Sequence, residues 1–259
     1  MSDEPFPGQT AVCNRVEIYF EVRGRGAPLL LLHGFSGSGQ DWMPSLKQWG
    51  SEFQLILADL RGHGRSAPLA NVFRHRDAAA DMLALLDQLG IGKANGVGIS
   101  GGGNVLLHMA AAQPNRVEAM VLVSATPYFP DQARAIMRHH GESLPQAQRE
   151  ALLRRHPRGD VQIESLLAST RSFADSYDDM DFTPRVLSTI QARTLIVQGD
   201  RDPLYPIELS IELFRGIPNS ALWVIPNAGH GPVIGERWPE FVAAAARFVS
   251  ARPISRDKN

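Results

Sequence analysis

Three side-chain types in this 259-residue chain, a serine, a histidine and a carboxylate, each lie in a glycine-containing loop. Brought together, they could attack a carbonyl carbon. The serine is Ser100, within Gly98-Ile99-Ser100-Gly101-Gly102, which fits G-x-S-x-G. An apolar run, Ala94–Ile99, precedes it, and a helical pattern starts near Gly102. A strand-to-helix turn this tight holds the serine in a sparsely populated backbone conformation. Residues without a Cβ let neighbouring backbone pass that close. The turn also places the Gly101 amide at a helix start, where unpaired N–H groups and the helix dipole favour negative charge. A purely structural glycine turn fits the same pattern, so partners must decide. A phosphate-cradling loop fits poorly, since no lysine follows the glycines and no G-x-G-x-x-G is complete.

Candidate partners follow two later apolar runs. After Thr194–Gln198 comes Gly199-Asp200-Arg201-Asp202-Pro203-Leu204-Tyr205-Pro206, and after Ala221–Ile225 comes Asn227-Ala228-Gly229-His230-Gly231. A serine hydroxyl is a poor nucleophile until an imidazole takes its proton. The imidazole needs a carboxylate to hold its tautomer and stabilise its protonated form. Asp200 competes with Asp202 for that task, its plainer role being to cap the turn.

These loops require a scaffold that delivers them to one edge. Val16–Val22, Pro28–Leu32, Phe53–Leu60, Ala94–Ile99, Ala119–Ser124, Thr194–Gln198 and Ala221–Ile225 read as strands. Helical patterns alternate with them at Ser45–Trp49, Asp77–Leu89, after Gly102, Glu208–Phe214 and Pro239–Ser250. The alternation predicts an α/β fold, a doubly wound and mostly parallel sheet. From Pro127 to about Arg185 strand-like runs vanish, and Gln132–His140, Gln146–Arg155 and Val161–Phe173 read as helices. Residues 1–126 and 186–259 then form the core, and 127–185 a helical cap over the strands' carboxyl ends, where such sheets bind ligands.

Composition narrows the function classes. A hydrophobic fraction of 44% and a charged fraction of 20% are ordinary for a globular protein. A formal net charge of −1 gives no reason to expect nucleic acid or an anionic membrane as partner. No apolar run reaches the roughly 18 residues of a membrane span. MSDEPFPGQT lacks a basic-then-apolar secretory pattern, so a cytoplasmic location is expected. Cys13 is the single cysteine, which excludes an intramolecular disulfide and reads as a small filler in an early strand.

Together, HGFSGSGQDW at 33–42, DLRGHGRS at 59–66, GISGG at 98–102, GDRDPLYP at 199–206 and AGH at 228–230 resemble a capped α/β-hydrolase, over essentially residues 16–250. The resemblance implies Ser100 as nucleophile, His230 as general base, Asp202 as orienting acid, and the amides of Phe35 and Gly101 as the oxyanion hole. It favours Asp202 over Asp200 because such families place the acid just before proline. It also implies no metal or organic cofactor. A serine rather than an aspartate at position 100 argues against dehalogenase or epoxide hydrolase chemistry.

The remaining polar residues have plainer roles. His33 is expected to fix the oxyanion loop, His63 to belong to loop architecture, His75 to lie on the surface and His108 to be packed or capping. Asp59 and Arg61 brace their loop. His139, His140 and His156 fall in the cap without a metal-binding pattern. Apolar cap residues mostly pack on the core, but Phe129, Met137, Phe173 and Tyr177, with Trp42 and Phe35 from the core, are candidates to line a largely apolar pocket. Asp175, Asp178, Asp179 and Asp181 read as a solvated loop, with attraction of a cationic substrate as the sharper alternative. The expected partner is a small-molecule ester or lactone, and a homodimer is compatible with the sequence. The same residues would serve a carbon–carbon bond hydrolase, a cofactor-free haloperoxidase or perhydrolase, or a ligand receptor on this scaffold.

Overall fold

The computed structural model describes residues 8–251; the acidic, proline-containing start read above lies largely outside them. Eight strands form one sheet in the order β1-β2-β4-β3-β5-β6-β7-β8. They are β1 (Gln9–Cys13), β2 (Val16–Arg23), β3 (Ala27–Leu32), β4 (Phe53–Ala58), β5 (Ala94–Ile99), β6 (Val117–Val123), β7 (Arg193–Gly199) and β8 (Ser220–Ile225). The pairs β1–β2 and β2–β4 are antiparallel, and the rest are parallel. The sequence placed Cys13 in an early strand, and the structure gives that strand, β1, its bounds. Its hairpin turns at Asn14 and Arg15, both in the left-handed region (φ 48° and 66°), without the glycine that usually announces such a turn.

Nine α-helices connect or follow the strands among the described residues: α1 (Leu46–Trp49), α2 (His75–Gln88), α3 (Gly101–Ala112), α4 (Asp131–Arg138), α5 (Gln146–Arg155), α6 (Asp160–Ser172), α7 (Pro184–Leu187), α8 (Ile207–Gly216) and α9 (Trp238–Ser250). A 3-10 stretch, Gly39–Ser45, runs into α1. Helices α4 to α7 all lie between β6 and β7. None of the helices is long and apolar enough to cross a membrane.

The central strand β3 shows why the sheet is buried on both faces. Leu29, Leu30, Leu31 and Leu32 are all buried, and side chains alternate between faces along a strand. Leu30 and Leu32 join one apolar cluster with residues of α2, α3 and α8. Leu29 and Leu31 join the other, with Trp42, Trp49 and α9. Truncating one of these leucines to alanine costs about 2–5 kcal/mol. Cys13 packs in the first cluster, and burial, with Asp81 nearby, pushes its thiol up to about 11.

Six strands, β4, β3, β5, β6, β7 and β8, run parallel and adjacent. Their carboxyl ends therefore share one edge. Register pairs Leu32 with Gly98 and Ile99 with Val123. The residues just past these ends, His33, Asp59, Ser100 and Ser124, and the loops after β7 and β8, consequently converge.

Candidate active site

Ser100 occupies the turn between β5 and α3 at φ 52° and ψ −116°, a region L-residues rarely adopt. Gly98 and Gly102 make this turn feasible: a Cβ on Gly98 would lie 2.5 Å from the Gly102 carbonyl carbon, and one on Gly102 would lie 2.3 Å from the Leu32 oxygen. The result aims Ser100 at His230, with Oγ 2.8 Å from Nε2. The opposite nitrogen, Nδ1, lies 2.8 Å from Asp202 Oδ2. An ionised carboxylate only accepts, so Nδ1 carries the proton and Nε2 is left to accept from the serine hydroxyl. Burial works to raise the Asp202 pKa, but the His230 N–H and the amides of Tyr205 and Leu204 outweigh it and the net shift is downward.

Asp200 does not reach the imidazole. Its Oδ1 accepts from the Ala228 amide at 3.3 Å, bracing the loop that carries His230. Two polar residues missed in the sequence hold the same assembly. Gln198, fully buried near the end of β7, donates from Nε2 to Asp202 Oδ2 (2.9 Å) and to the Tyr205 carbonyl (2.8 Å). Ser124, just past β6 at φ 49°, accepts from the Gly231 amide at 3.1 Å. The available signal was a single polar side chain at the end of an otherwise apolar run.

Opposite the serine, the loop after β3 brings the Phe35 backbone against the elbow. A Cβ on Gly101 would stand 3.3 Å from the Phe35 nitrogen. The Phe35 and Gly101 amides donate to no protein acceptor among the described residues. Two unpaired N–H groups beside a nucleophile can hold an oxyanion. His33 braces this loop, with Nδ1 2.7 Å from the Gly34 carbonyl and Nε2 accepting from the Leu60 amide at 3.0 Å. Asp59 accepts from the amides of Gly39 (2.7 Å) and Arg65 (2.8 Å). Arg61 makes a forked pair with buried Asp81 at 2.6 and 2.7 Å. His156, at the end of α5, reaches across from the segment between β6 and β7. It accepts from the Gly64 amide at Nδ1 and donates from Nε2 to the Ser36 carbonyl, both at 3.0 Å.

A cavity of about 1030 Å³ opens over Ser100 and His230. Phe35, Trp42, Phe129, Met137 and Phe173 line it, together with Tyr205 and Trp238. Tyr177 does not. It is 66% exposed, just beyond the 3-10 turn Phe173–Asp175, and its ring lies under the Arg134 guanidinium, 3.9 Å from ring centre to Cζ.

Two further expectations need correction. His75 is buried rather than on the surface, and Asp179 is buried rather than solvated. The cause is shared: Arg74, at the N-cap of α2, offers no capping side chain. Asp179 does so from a distance, accepting from the His75 amide (2.7 Å), the Arg76 amide (3.2 Å) and His75 Nδ1 (2.8 Å). Asp178 and Asp175 pair with Arg74 and Arg138. None of the four aspartates lines the cavity, so a cationic-substrate role for them has no geometric support. His63 and His108 are packed against aromatic rings, His139 is exposed beside Glu142, and His140 lines the cavity. Among the described residues no group of three His, Cys, Asp or Glu side chains is placed to hold a metal ion.

Residues 27–149 match the family model described as the alpha/beta hydrolase fold. The chain has the α/β-hydrolase fold. This hydrolase-fold chain is 29% identical over 251 residues to 2-hydroxy-6-oxononadienedioate/2-hydroxy-6-oxononatrienedioate hydrolase 2 of Pseudomonas putida, covering 83% of this chain and 85% of the relative. It is also 29% identical over 263 residues to the pimeloyl-[acyl-carrier protein] methyl ester esterase of Xanthomonas campestris pv. campestris, covering 91% of this chain and 100% of the relative. Among solved structures, a thermophilic esterase from Thermogutta terrifontis superposes with a TM-score of 0.74 at 26% identity, covering 93% of this chain and 97% of the other.

Proposed function

We propose that this α/β hydrolase cleaves a carboxylic ester or lactone of a small molecule through an acyl-enzyme on Ser100. The observation that carries the reading is the 2.8 Å contact between Ser100 Oγ and His230 Nε2 at the floor of the cavity. In the proposed reaction Ser100 Oγ bonds to the substrate carbonyl carbon as its proton passes to His230 Nε2. The carbonyl oxygen becomes an oxyanion facing the Phe35 and Gly101 amides. Collapse breaks the bond to the leaving alkoxide, which takes the proton from His230. Water, deprotonated by His230, then releases the acid and restores Ser100. Asp202 orients the imidazole and offsets its positive charge. Losing one oxyanion donor in such a site costs about 10²–10³ in rate. Each step needs only the chain and water. We assign residues 127–185 as a cap, since Phe129, Met137, His140, Arg155 and Phe173 from that stretch roof the cavity.

A second reading is hydrolysis of a carbon–carbon bond on the same residues. It is supported by the Pseudomonas putida relative, whose named substrates carry a ketone and two carboxylates but no ester. One panel separates the two: simple esters, lactones and vinylogous ketones, each with wild type and Ser100→Ala. Ester or lactone turnover that disappears in Ser100→Ala supports the first reading. Turnover of ketones alone replaces it with the second, and an ester rate untouched by Ser100→Ala refutes both.

A further inference from the structure

Most of the buried imidazole nitrogens are accounted for. Both nitrogens of His33 and both of His156 are bonded within the protein. The Nε2 atoms of His63 and His108 have no hydrogen-bond partner among the described residues, although His108 Nε2 lies 3.9 Å from Asp179 Oδ1, and packing seals both from solvent-sized space. His75 differs from all four. Its side chain is 2% exposed, its Nδ1 is bonded to Asp179, and its Nε2 has no protein partner yet is not sealed. The open space beside it is the cavity that it lines with Ser100 and His230.

The pair therefore repeats the geometry of His230 and Asp202, with a carboxylate 2.8 Å behind Nδ1. No hydroxyl stands before it, so it is equipped to bind rather than to attack. Aromatic rings separate the two imidazoles. Tyr205 sits edge-on to His230 at 5.3 Å, Phe129 stacks on Tyr205 at 6.4 Å, and His75 lies 5.8 Å from Phe129. Phe73 and Phe173 close round the His75 ring at 5.2 and 5.1 Å.

The charges facing His75 indicate which chemistry it offers. Asp179 already takes the His75 and Arg76 amides, His75 Nδ1–H and, at 3.4 Å, the Arg76 guanidinium. His63 and His108 also act on the pair, and neither supplies an anion. Nε2 consequently offers one open hydrogen-bonding position in an aromatic pocket, and a bare polar atom there needs a partner, which a hydroxyl, both donor and acceptor, can supply.

We propose that His75 is a specificity-determining residue that receives a hydroxyl carried by the substrate at a distance from its ester carbonyl, across an apolar stretch facing Phe129 and Phe173. This deepens, and rests on, the ester-hydrolase reading. The test compares methyl alkanoates of six, eight and ten carbons with their ω-hydroxy and ω-carboxy counterparts. Affinity is measured calorimetrically in Ser100→Ala, and kcat/KM in the wild type. An ω-hydroxyl should improve binding about 5-fold at the fitting length. In Ser100→Ala/His75→Asn that gain should vanish, because asparagine keeps an N–H for Asp179 and removes the cavity-facing nitrogen. A measurement that needs no variant at position 75 follows the His75 Nε2 resonance, which should move on adding the hydroxy ester while Nδ1 stays. No hydroxyl gain at any length, a gain that survives His75→Asn, a preference for the carboxylate, or an unmoved Nε2 signal overturns the proposal. Wild type that turns over none of the esters would instead refute the hydrolase reading, while the affinities still decide the role of His75.

Discussion

The imidazole of His156 is bonded to the carbonyl of Ser36 across 120 positions of sequence, Nε2 to oxygen 3.0 Å. Ser36 is in the left-handed region (φ 63°) and follows Phe35, whose nitrogen lies against Gly101. The end of α5 thus fixes the backbone that supplies one of the two proposed oxyanion donors. His156→Ala should lower kcat about 10-fold, part of the loss for deleting a donor outright, with little change in KM. His156→Gln, able to donate at the Nε2 position, should recover some of it. Steady-state kinetics on one ester check this; a change confined to KM would assign His156 to substrate contact instead.

Asp202 and Asp200 should separate cleanly. Asp202→Asn leaves an amide where His230 needs an acceptor and should reduce kcat on the order of 10³–10⁴. Asp200→Asn loses only part of a 3.3 Å bond to the Ala228 amide and should remain within a few-fold of wild type. Equal losses in the two variants would overturn the assignment of Asp202.

The backbone strain at Ser100 is measurable as stability. Ser100→Gly and Ser100→Ala both remove the hydroxyl, but only glycine accepts φ 52° without a clash. Ser100→Gly should be the more stable by about 1 kcal/mol, and its melting temperature higher by about 2–4 °C. Thermal melts in the reverse order would show that the turn is relaxed.

Acid should begin to destabilise the fold through its buried histidines. Burial holds His108 down to about 4 against the pull of Asp179, and it also lowers His33, His63 and His156. An unfolded chain binds a proton at each below about 6.5, whereas the folded chain does not until its depressed value is reached. Stability is therefore greatest above that pH and falls as pH drops, by at most about 1.4 kcal/mol per unit for each histidine. Urea midpoints between pH 7.5 and 5 should fall more steeply in wild type than in His108→Gln. Parallel slopes would remove His108 from the account.

Asp179 acts in the opposite part of the scale. Burial works to raise its pKa, but hydrogen bonds and charge from His75, with the Arg76 amide, hold it below the usual carboxylate range. Its contribution is complete above about pH 4 and is lost as pH falls through the depressed value. Asp179→Ala should cost about 1–2 kcal/mol at pH 7 as the missing cap of α2. The gap to wild type should narrow in strong acid, as read from urea denaturation. A gap that does not depend on pH would show that packing, not charge, sets the loss.

The sequence by itself determined the elbow, the sheet class and the chain order of the serine, the aspartate pair and the histidine. These depend on local properties: strand and helix periodicity, and glycines where backbone must pass closely. It also located Phe129, Met137 and Phe173 on a helical insertion. Only the tertiary structure decided that Asp202 rather than Asp200 faces His230, since the two differ by which way one turn points. It likewise decided that Asp179 caps α2 from 104 positions away, burying His75, and that Tyr177 turns outward. Those outcomes rest on contacts between distant segments, where a polar residue reads as a surface residue until its partner is brought against it.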